Sequence, residues 1–252
     1  MKFITHIKED WQKIKDKPAK EKWEFFWDYY KVSAICILVL LFLLVQGIRA
    51  ATNHRDIAFS GIFLNCGLTD EEGAFLDGFY ECSDIDPKTQ TAAFYSDMSI
   101  TTAQGSAKNN DTINRIIASI SVQDTDVISG DPYSFQICAY NSSKIFVDLR
   151  EFLDAETLEK YADRLYYVDA SVVALIDDKS TNLKTVPYPE DPKNPENMES
   201  PIPVGIDVSD CDAFFSTYYN HYTEERPVTY IGVVRNTLRP ELAKQFLDYL
   251  LP

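Results

Sequence analysis

The sequence predicts an α/β protein in which one N-terminal membrane-spanning helix is followed by a domain built on a mainly parallel sheet. Three observations carry this. Residues 32–48, VSAICILVLLFLLVQGI, hold no charge and only Ser33 and Gln46 as clearly polar residues. Eight lysines precede that run, up to Lys31, whereas only Arg49 and Arg55 follow it closely. Beyond it, short apolar runs of strand length alternate with stretches whose apolar residues recur at helical spacing.

The apolar run alone is short for a span. Extended back to Tyr29 it is about 20 residues, or about 30 Å of helix, which matches a hydrocarbon core. Phe26, Trp27, Tyr29 and Tyr30 stand where amphipathic rings suit the interface. The exit, Gly47-Ile48-Arg49-Ala50-Ala51, puts Ile48 or Arg49 where signal cleavage needs a small residue. Cys36 follows Ile35 and precedes more apolar chain, unlike a lipoprotein cysteine. An uncleaved signal anchor over 29–49 fits best, with the lysine-rich N-terminus in the cytoplasm and the rest outside. A buried core helix would leave the charge bias unexplained. In the tail, 1–28, Phe3, Ile4, Ile7, Trp11 and Ile14 follow helical spacing, as do Trp23, Phe26, Trp27 and Tyr30. Such a segment lies against the inner leaflet of the lipid bilayer, and its main role is that of a positive flank fixing topology.

After a connector at 50–56, residues 57–64 (IAFSGIFL) read as a buried strand. Thr69-Asp70-Glu71-Glu72 then opens a helix with Phe75, Leu76, Phe79 and Tyr80 on one face. Residues 91–95 are a second strand. Asp111 caps the next helix, with Ile113, Ile116, Ile117 and Ile120 at apolar spacing, and 126–129 is a strand closed by Gly130-Asp131-Pro132. Pro132 opens a helix reaching Tyr140. Residues 145–147 form a strand, and 149–153 lead into a helix from Ala155 to about Tyr161. Residues 165–168 and 171–176 read as two strands flanking Asp169-Ala170. Six of the twelve prolines fall in 187–203, interleaved with acids, as in an exposed loop. An aromatic helix at 212–219, a buried strand at 228–234 and a helix opened by Pro240 complete the domain at 57–252.

Of 24 basic and 39 acidic residues, 8 and 6 lie in 1–31, leaving 16 and 33 beyond. An outer part with a net charge of −17 repels nucleic acid. Cys66, Cys82, Cys138 and Cys211 lie outside; Cys66 with Cys82 is the favoured disulfide, and single buried thiols explain the spacing equally well. Of the three histidines only His221 falls in the folded part, within a polar stretch that suits a surface residue. Asp207, Asp210 and Asp212 lack the glycine and glutamate of a calcium loop and read as turn and cap residues. No nucleophile elbow, zinc spacing or phosphate loop is present, so the sequence implies no catalytic residue, no metal and no cofactor.

A binding architecture remains. Ligands of open α/β sheets meet loops at the carboxyl ends of strands, here 65–67, 96–99, 130–134 and 235–237. Within them Asn65, Asp97, Ser99, Asp131, Arg235 and Asn236 are the candidate polar contacts, and Tyr133 a candidate aromatic wall. Ordinary capping and turn roles compete for each of these residues.

The stretch 124–165, DTDVISGDPYSFQICAYNSSKIFVDLREFLDAETLEKYADRL, resembles the extracellular solute-binding proteins of ABC importers, and 229–250, TYIGVVRNTLRPELAKQFLDYL, is similar to their closing strand and helix. Pro203-Val204-Gly205-Ile206-Asp207 resembles the family's hinge. The resemblance implies a type II periplasmic-binding fold with a reduced second lobe, shortened and membrane-anchored. It also implies a small solute or peptide as ligand and an ABC permease as partner. The alternative is a ligand-free interaction module contacting another envelope protein. An envelope hydrolase ranks last.

Overall fold

The computed structural model describes residues 15–52, 55–69, 72–103, 105–141, 144–178, 186–223 and 225–251. The tail pattern from Phe3 to Ile14, His6, His54 and the expected cap residues Asp70 and Glu71 lie outside them. The chain divides into two units, Met1–His54 and Arg55–Pro252.

The first unit is dominated by helix α1, Ala19–Thr52. Its 34 residues span about 50 Å. The helix starts well before the expected span, so the aromatic stretch and the apolar run form one rod. Trp23 stacks on Phe26 and Trp27 at 5.9 and 6.0 Å, and Phe26 on Tyr30 at 6.2 Å. Three- and four-residue spacing gathers these rings into one stripe. The part Ala19–Ile48 is long and apolar enough to cross a membrane, as an anchor or as a signal sequence. Its leucines from Leu38 to Leu44 are exposed within the protein itself.

The second unit has a six-stranded sheet. In chain order its elements are β1 (Asp56–Phe63), β2 (Cys66–Leu68), α2 (Glu72–Glu81), β3 (Gln90–Tyr95), α3 (Ser106–Ser121), β4 (Val127–Gly130) and α4 (Pro132–Ala139). Then come α5 (Leu149–Phe152), α6 (Ala155–Lys160), β5 (Leu165–Asp169), α7 (Ala170–Asp177), β6 (Pro201–Asp207), α8 (Asp212–Thr217), β7 (Tyr218–Asn220), β8 (Tyr230–Val233) and α9 (Pro240–Leu250). The strand order is β3-β1-β4-β8-β6-β5, with β2 and β7 forming a separate antiparallel ribbon. The sheet is mixed. Strands β3, β1 and β4 run parallel, as expected, while β8, β6 and β5 each run antiparallel to the preceding strand in that order.

Helices cover both faces, so the strands are apolar on both sides. In β1, Phe59 and Phe63 point to one face, and Ile62 to the other. The first face meets α2, α8 and α9 through Phe75, Phe79, Phe214 and Phe246. The second meets α3, α4 and α7 through Ile116, Phe135, Cys138 and Val172. Strand β6 holds Ile206 toward the first face and Val204 toward the second, although they are two residues apart. A bulge explains this: Tyr166 pairs with Gly205 but Tyr167 pairs with Pro203. Gly205 and Gly232 are the places where Phe135 and Phe146 lie against the sheet. A Cβ on either would fall within 2.6 Å of a ring carbon. The two rings stack at 4.9 Å.

Several sequence expectations change. Residues 171–176 form α7, not a strand: the Asp169 carboxylate caps the helix, accepting from the N–H and hydroxyl of Ser171. Helix α3 begins at Ser106, five residues ahead of Asp111, so Asp111 is inside it rather than capping it. Residues 145–147 make a single bridge, Phe146 to Val234, because Asp148 already caps α5. Residues 218–220 are a strand of the small ribbon rather than helix. The proline segment is not all loop, since Pro201 to Pro203 begin β6 and Met198 is buried. It also covers the edge strand: Tyr167 N–H donates to Pro192 O at 2.7 Å, while Asp169 N–H is taken by the Tyr140 hydroxyl. Helices α7 and α8 and strands β6, β7 and β8 belong to the same unit as β1, and β6 and β8 to the same six-stranded sheet. All five cysteines are free thiols; Cys66 is buried and Cys82 exposed, so the favoured pair does not form.

Asp169 and Asp207 anchor this region. Burial works against the Asp169 charge, but the N–H groups of Glu199, Ser171 and Ser200 and the Ser171 hydroxyl outweigh it and hold the carboxyl below the usual range. Burial likewise opposes the Asp207 charge, and the Lys193 ammonium and the Ser209 hydroxyl and N–H outweigh it. Both carboxyls are thus stronger acids folded than unfolded, where the value is about 3.9. Their stabilisation is complete above that value and disappears as pH falls through the lower folded values. The melting temperature should therefore drop steeply below about pH 4, and Asp169→Asn should flatten that drop when melting is followed by circular dichroism.

Candidate functional site

Loops after β1, β3 and β4 converge at one end of the sheet, as the parallel half dictates. Asn65, with φ 61, is in the left-handed region that asparagine tolerates. Its side chain is fully engaged. Nδ2 donates to Ile100 O at 2.9 Å and to the Asp131 carboxylate at 2.6 Å, and Oδ1 accepts from Ile100 N–H at 2.9 Å. The other Asp131 oxygen caps α4 through Ser134 N–H at 2.9 Å and the Ser134 hydroxyl at 3.1 Å. His221 N–H donates to Asn65 O at 2.9 Å, which lays the β2–β7 ribbon over this end. Burial, then the Asp131 charge, push the Cys66 thiol up to about 12, and burial does the same to Cys138. Both thiols are therefore protonated and poor nucleophiles at neutral pH.

Asn65, Asp131 and the loop carrying Ser99 do meet, yet their polar groups satisfy one another rather than facing an opening. Ser99 O accepts from the Thr112 hydroxyl at 3.1 Å. Asp97 sits outside the knot in an exposed ion pair with Arg115 at 3.0 Å. Tyr133 is exposed on the first turn of α4. An Asn65→Gly variant keeps the backbone conformation and removes all three side-chain bonds. It is expected to lose about 1–3 kcal/mol of stability, measured by urea unfolding.

Arg235 and Asn236 lie elsewhere. Because β8 runs antiparallel to β4, with Val233 opposite Val127, its exit is at the opposite end of the sheet from Asn65. Asn236 is a tie: its Nδ2 donates to Ile120 O at 2.7 Å at the end of α3. Arg235 is exposed, and its N–H donates to Ile145 O at 2.8 Å.

That second end holds a groove of about 680 Å³, within the range of small-ligand sites. Phe146, Val168, Ile202 and Val204 give it an apolar floor, and Val173 and Ala174 of α7 form one wall. Lys144 and Arg235 bring positive charge to it; Asp148, Glu151 and Asp177 bring negative charge. Arg235 and Lys144 are neighbours through the Arg235–Ile145 backbone bond. Asp148 is spoken for. Burial works against its charge, but the Arg150 guanidinium, at 2.6 Å from Nη2, holds the carboxyl below the usual range. Lys144, Arg235, Glu151 and Asp177 form no salt bridge with any described residue. Sequence reasoning named only Arg235 of this set. The others come from segments whose closeness depends on the antiparallel half of the sheet.

The aspartates read as turn and cap residues behave mostly so. Asp207 accepts from Ser209 N–H at 2.9 Å, while Asp210 and Asp212 pair with Arg164 and Arg226. The cap of α8 is the Cys211 sulfur rather than an aspartate. Among the described residues no cluster of three or more His, Cys, Asp or Glu side chains is arranged for a metal. Comparison of the chain with protein-family models, with curated proteins and with solved structures found no match.

Proposed function

We propose that the protein is a membrane-tethered, non-enzymatic binding domain on the outer side of the cell membrane, which holds a small solute or peptide in the groove beside Arg235. The observation that carries this reading is the groove itself: about 680 Å³ of space over an apolar floor, edged by four charged side chains that form no salt bridge with a described residue. Unpaired charge beside a concave apolar surface is the usual make-up of a ligand site. The protonated thiols of Cys66 and Cys138 support a binding rather than a chemical role. Tethering is supported by the apolar helix, and its direction by the eight lysines ahead of it. A relationship to the solute-binding proteins of ABC importers draws support from the parallel β3-β1-β4 unit and the quoted sequence stretches. Supply to an ABC permease follows from that relationship.

The closed knot at Asn65 and Asp131 favours a second reading, an interaction module for another envelope protein, since the crevice expected of an open sheet is plugged from within. One experiment addresses tethering. Protease added to intact cells should remove the portion beyond residue 54 and leave a membrane-embedded N-terminal fragment; full protection of that portion overturns the assignment. For ligand capture, addition of the ligand should raise the melting temperature, and a groove-filling Ala174→Trp variant should lose that rise.

A further inference from the structure

We infer that the groove takes a zwitterion with an apolar body: a short peptide, its carboxylate held by Arg235 and Lys144 and its ammonium by Glu151 or Asp177. This rests on the binding role proposed above and narrows it to one ligand class.

The charges decide the class. With Asp148 neutralised by Arg150, the lining keeps two cations and two carboxylates. A simple anion such as a fatty acid would satisfy Arg235 and Lys144 but leave Glu151 and Asp177 facing it. It would also approach a body whose formal charge is strongly negative, and a field of that sign slows and weakens anion capture. A simple cation meets the reverse problem at Arg235 and Lys144. A neutral sugar can hydrogen-bond these exposed charged groups through its hydroxyls, but it carries no charge to match either sign and little apolar body for the floor. A zwitterion has no net charge to be repelled, and its two ends match the two signs. The guanidinium of Arg235 can hold a carboxylate through two parallel hydrogen bonds, the geometry in which arginine binds most strongly. Between the termini, Phe146, Val168, Ile202 and Val204 offer apolar surface to side chains.

The backbone arrangement supports the same division. The main-chain bond from Arg235 to Ile145 places the two cations on adjacent chain segments at the groove. Glu151 is on α5 and Asp177 at the end of α7, so negative charge comes from separate elements. The floor between is fixed by the sheet, because Val168 pairs with Ile202 in the β5–β6 ladder.

The test is calorimetric titration of the full chain in detergent micelles with trileucine, its C-terminal amide and its N-acetyl form. Free trileucine should bind, and blocking either terminus should weaken binding about tenfold or more, the scale of a lost charge-assisted contact. Arg235→Gln should lose most of the preference for the acid over the amide, keeping only what Lys144 supplies, while melting at the wild-type temperature. Equal binding of all three peptides by the wild-type protein would overturn the inference, as would an undiminished acid preference in Arg235→Gln. A neutral sugar that binds and is excluded by Ala174→Trp, with no peptide binding, would remove the zwitterion inference and leave the groove as a solute site. Absence of binding by every peptide and sugar tried would remove both.

Discussion

Replacing Phe246 by alanine is expected to cost about 3–5 kcal/mol, the range for truncating a fully buried phenylalanine. Phe246 is 0 % exposed and is the hub of the first core face. Its ring lies 4.9 Å from Phe79, 5.1 Å from Phe59, 5.2 Å from Phe94 and 6.1 Å from Phe75. These rings come from α2, β1, β3 and α9, so the void would open where one helix holds another against the parallel half of the sheet. The surrounding rings are large and mutually wedged, so little collapse can refill it. Phe246→Leu keeps more of the volume and should cost less than the alanine change, though it still loses the ring contacts. Far-UV circular dichroism is the suitable probe, because the three tryptophans, Trp11, Trp23 and Trp27, all precede the second unit. A loss below 1 kcal/mol for Phe246→Ala would contradict the packing described.

Much of this body was legible because its strongest elements announce themselves locally. Residues 57–64 and 228–234 are near-continuous apolar runs, and they became β1 and β8. Pro132 and Pro240 each sit at the first turn of a helix, where a missing N–H does no harm. What failed was non-local. The run Ser171-Val172-Val173-Ala174-Leu175-Ile176 has strand-like composition, but its conformation is set by Asp169. That carboxylate also gathers the N–H groups of Glu199 and Ser200, thirty residues on. Strands β2 and β7 are three residues each, too short to show a period. The convergence of Asn65 with Asp131 followed from the rule for parallel strands, whereas their direct bond, which closes the crevice, is a matter of side-chain geometry. Arg235 was singled out by its place after a strand. The direction of that strand could not be read from it, and direction is what moved Arg235 to the other end of the sheet and into the groove.

Removing the Arg239 side chain tests how that end is held. Asp126 is fully buried, and its carboxylate accepts from Ser60 N–H at 2.8 Å, the Thr237 hydroxyl at 2.5 Å and Arg239 Nη1 at 3.0 Å. The Asp126 carbonyl accepts from Val234 N–H at 2.8 Å. The aspartate thus grips the chain at Val234 and Thr237, on either side of Arg235 and Asn236. Arg239→Ala would leave a buried carboxylate without its counter-charge, a change that typically costs 3–5 kcal/mol. Because the guanidinium is a quarter exposed and solvent screens part of its attraction, about 3 kcal/mol is expected. Arg239→Lys retains a charge but not the forked donor set, and should recover part of the loss. Loosening the grip also frees the segment from which Arg235 reaches the groove. The same variant should therefore weaken ligand capture even at temperatures where it remains folded, and a variant distant from this end, such as Asn65→Gly, should not. Equal affinity in Arg239→Ala and wild type would show that the buried pair supports the sheet without setting the site.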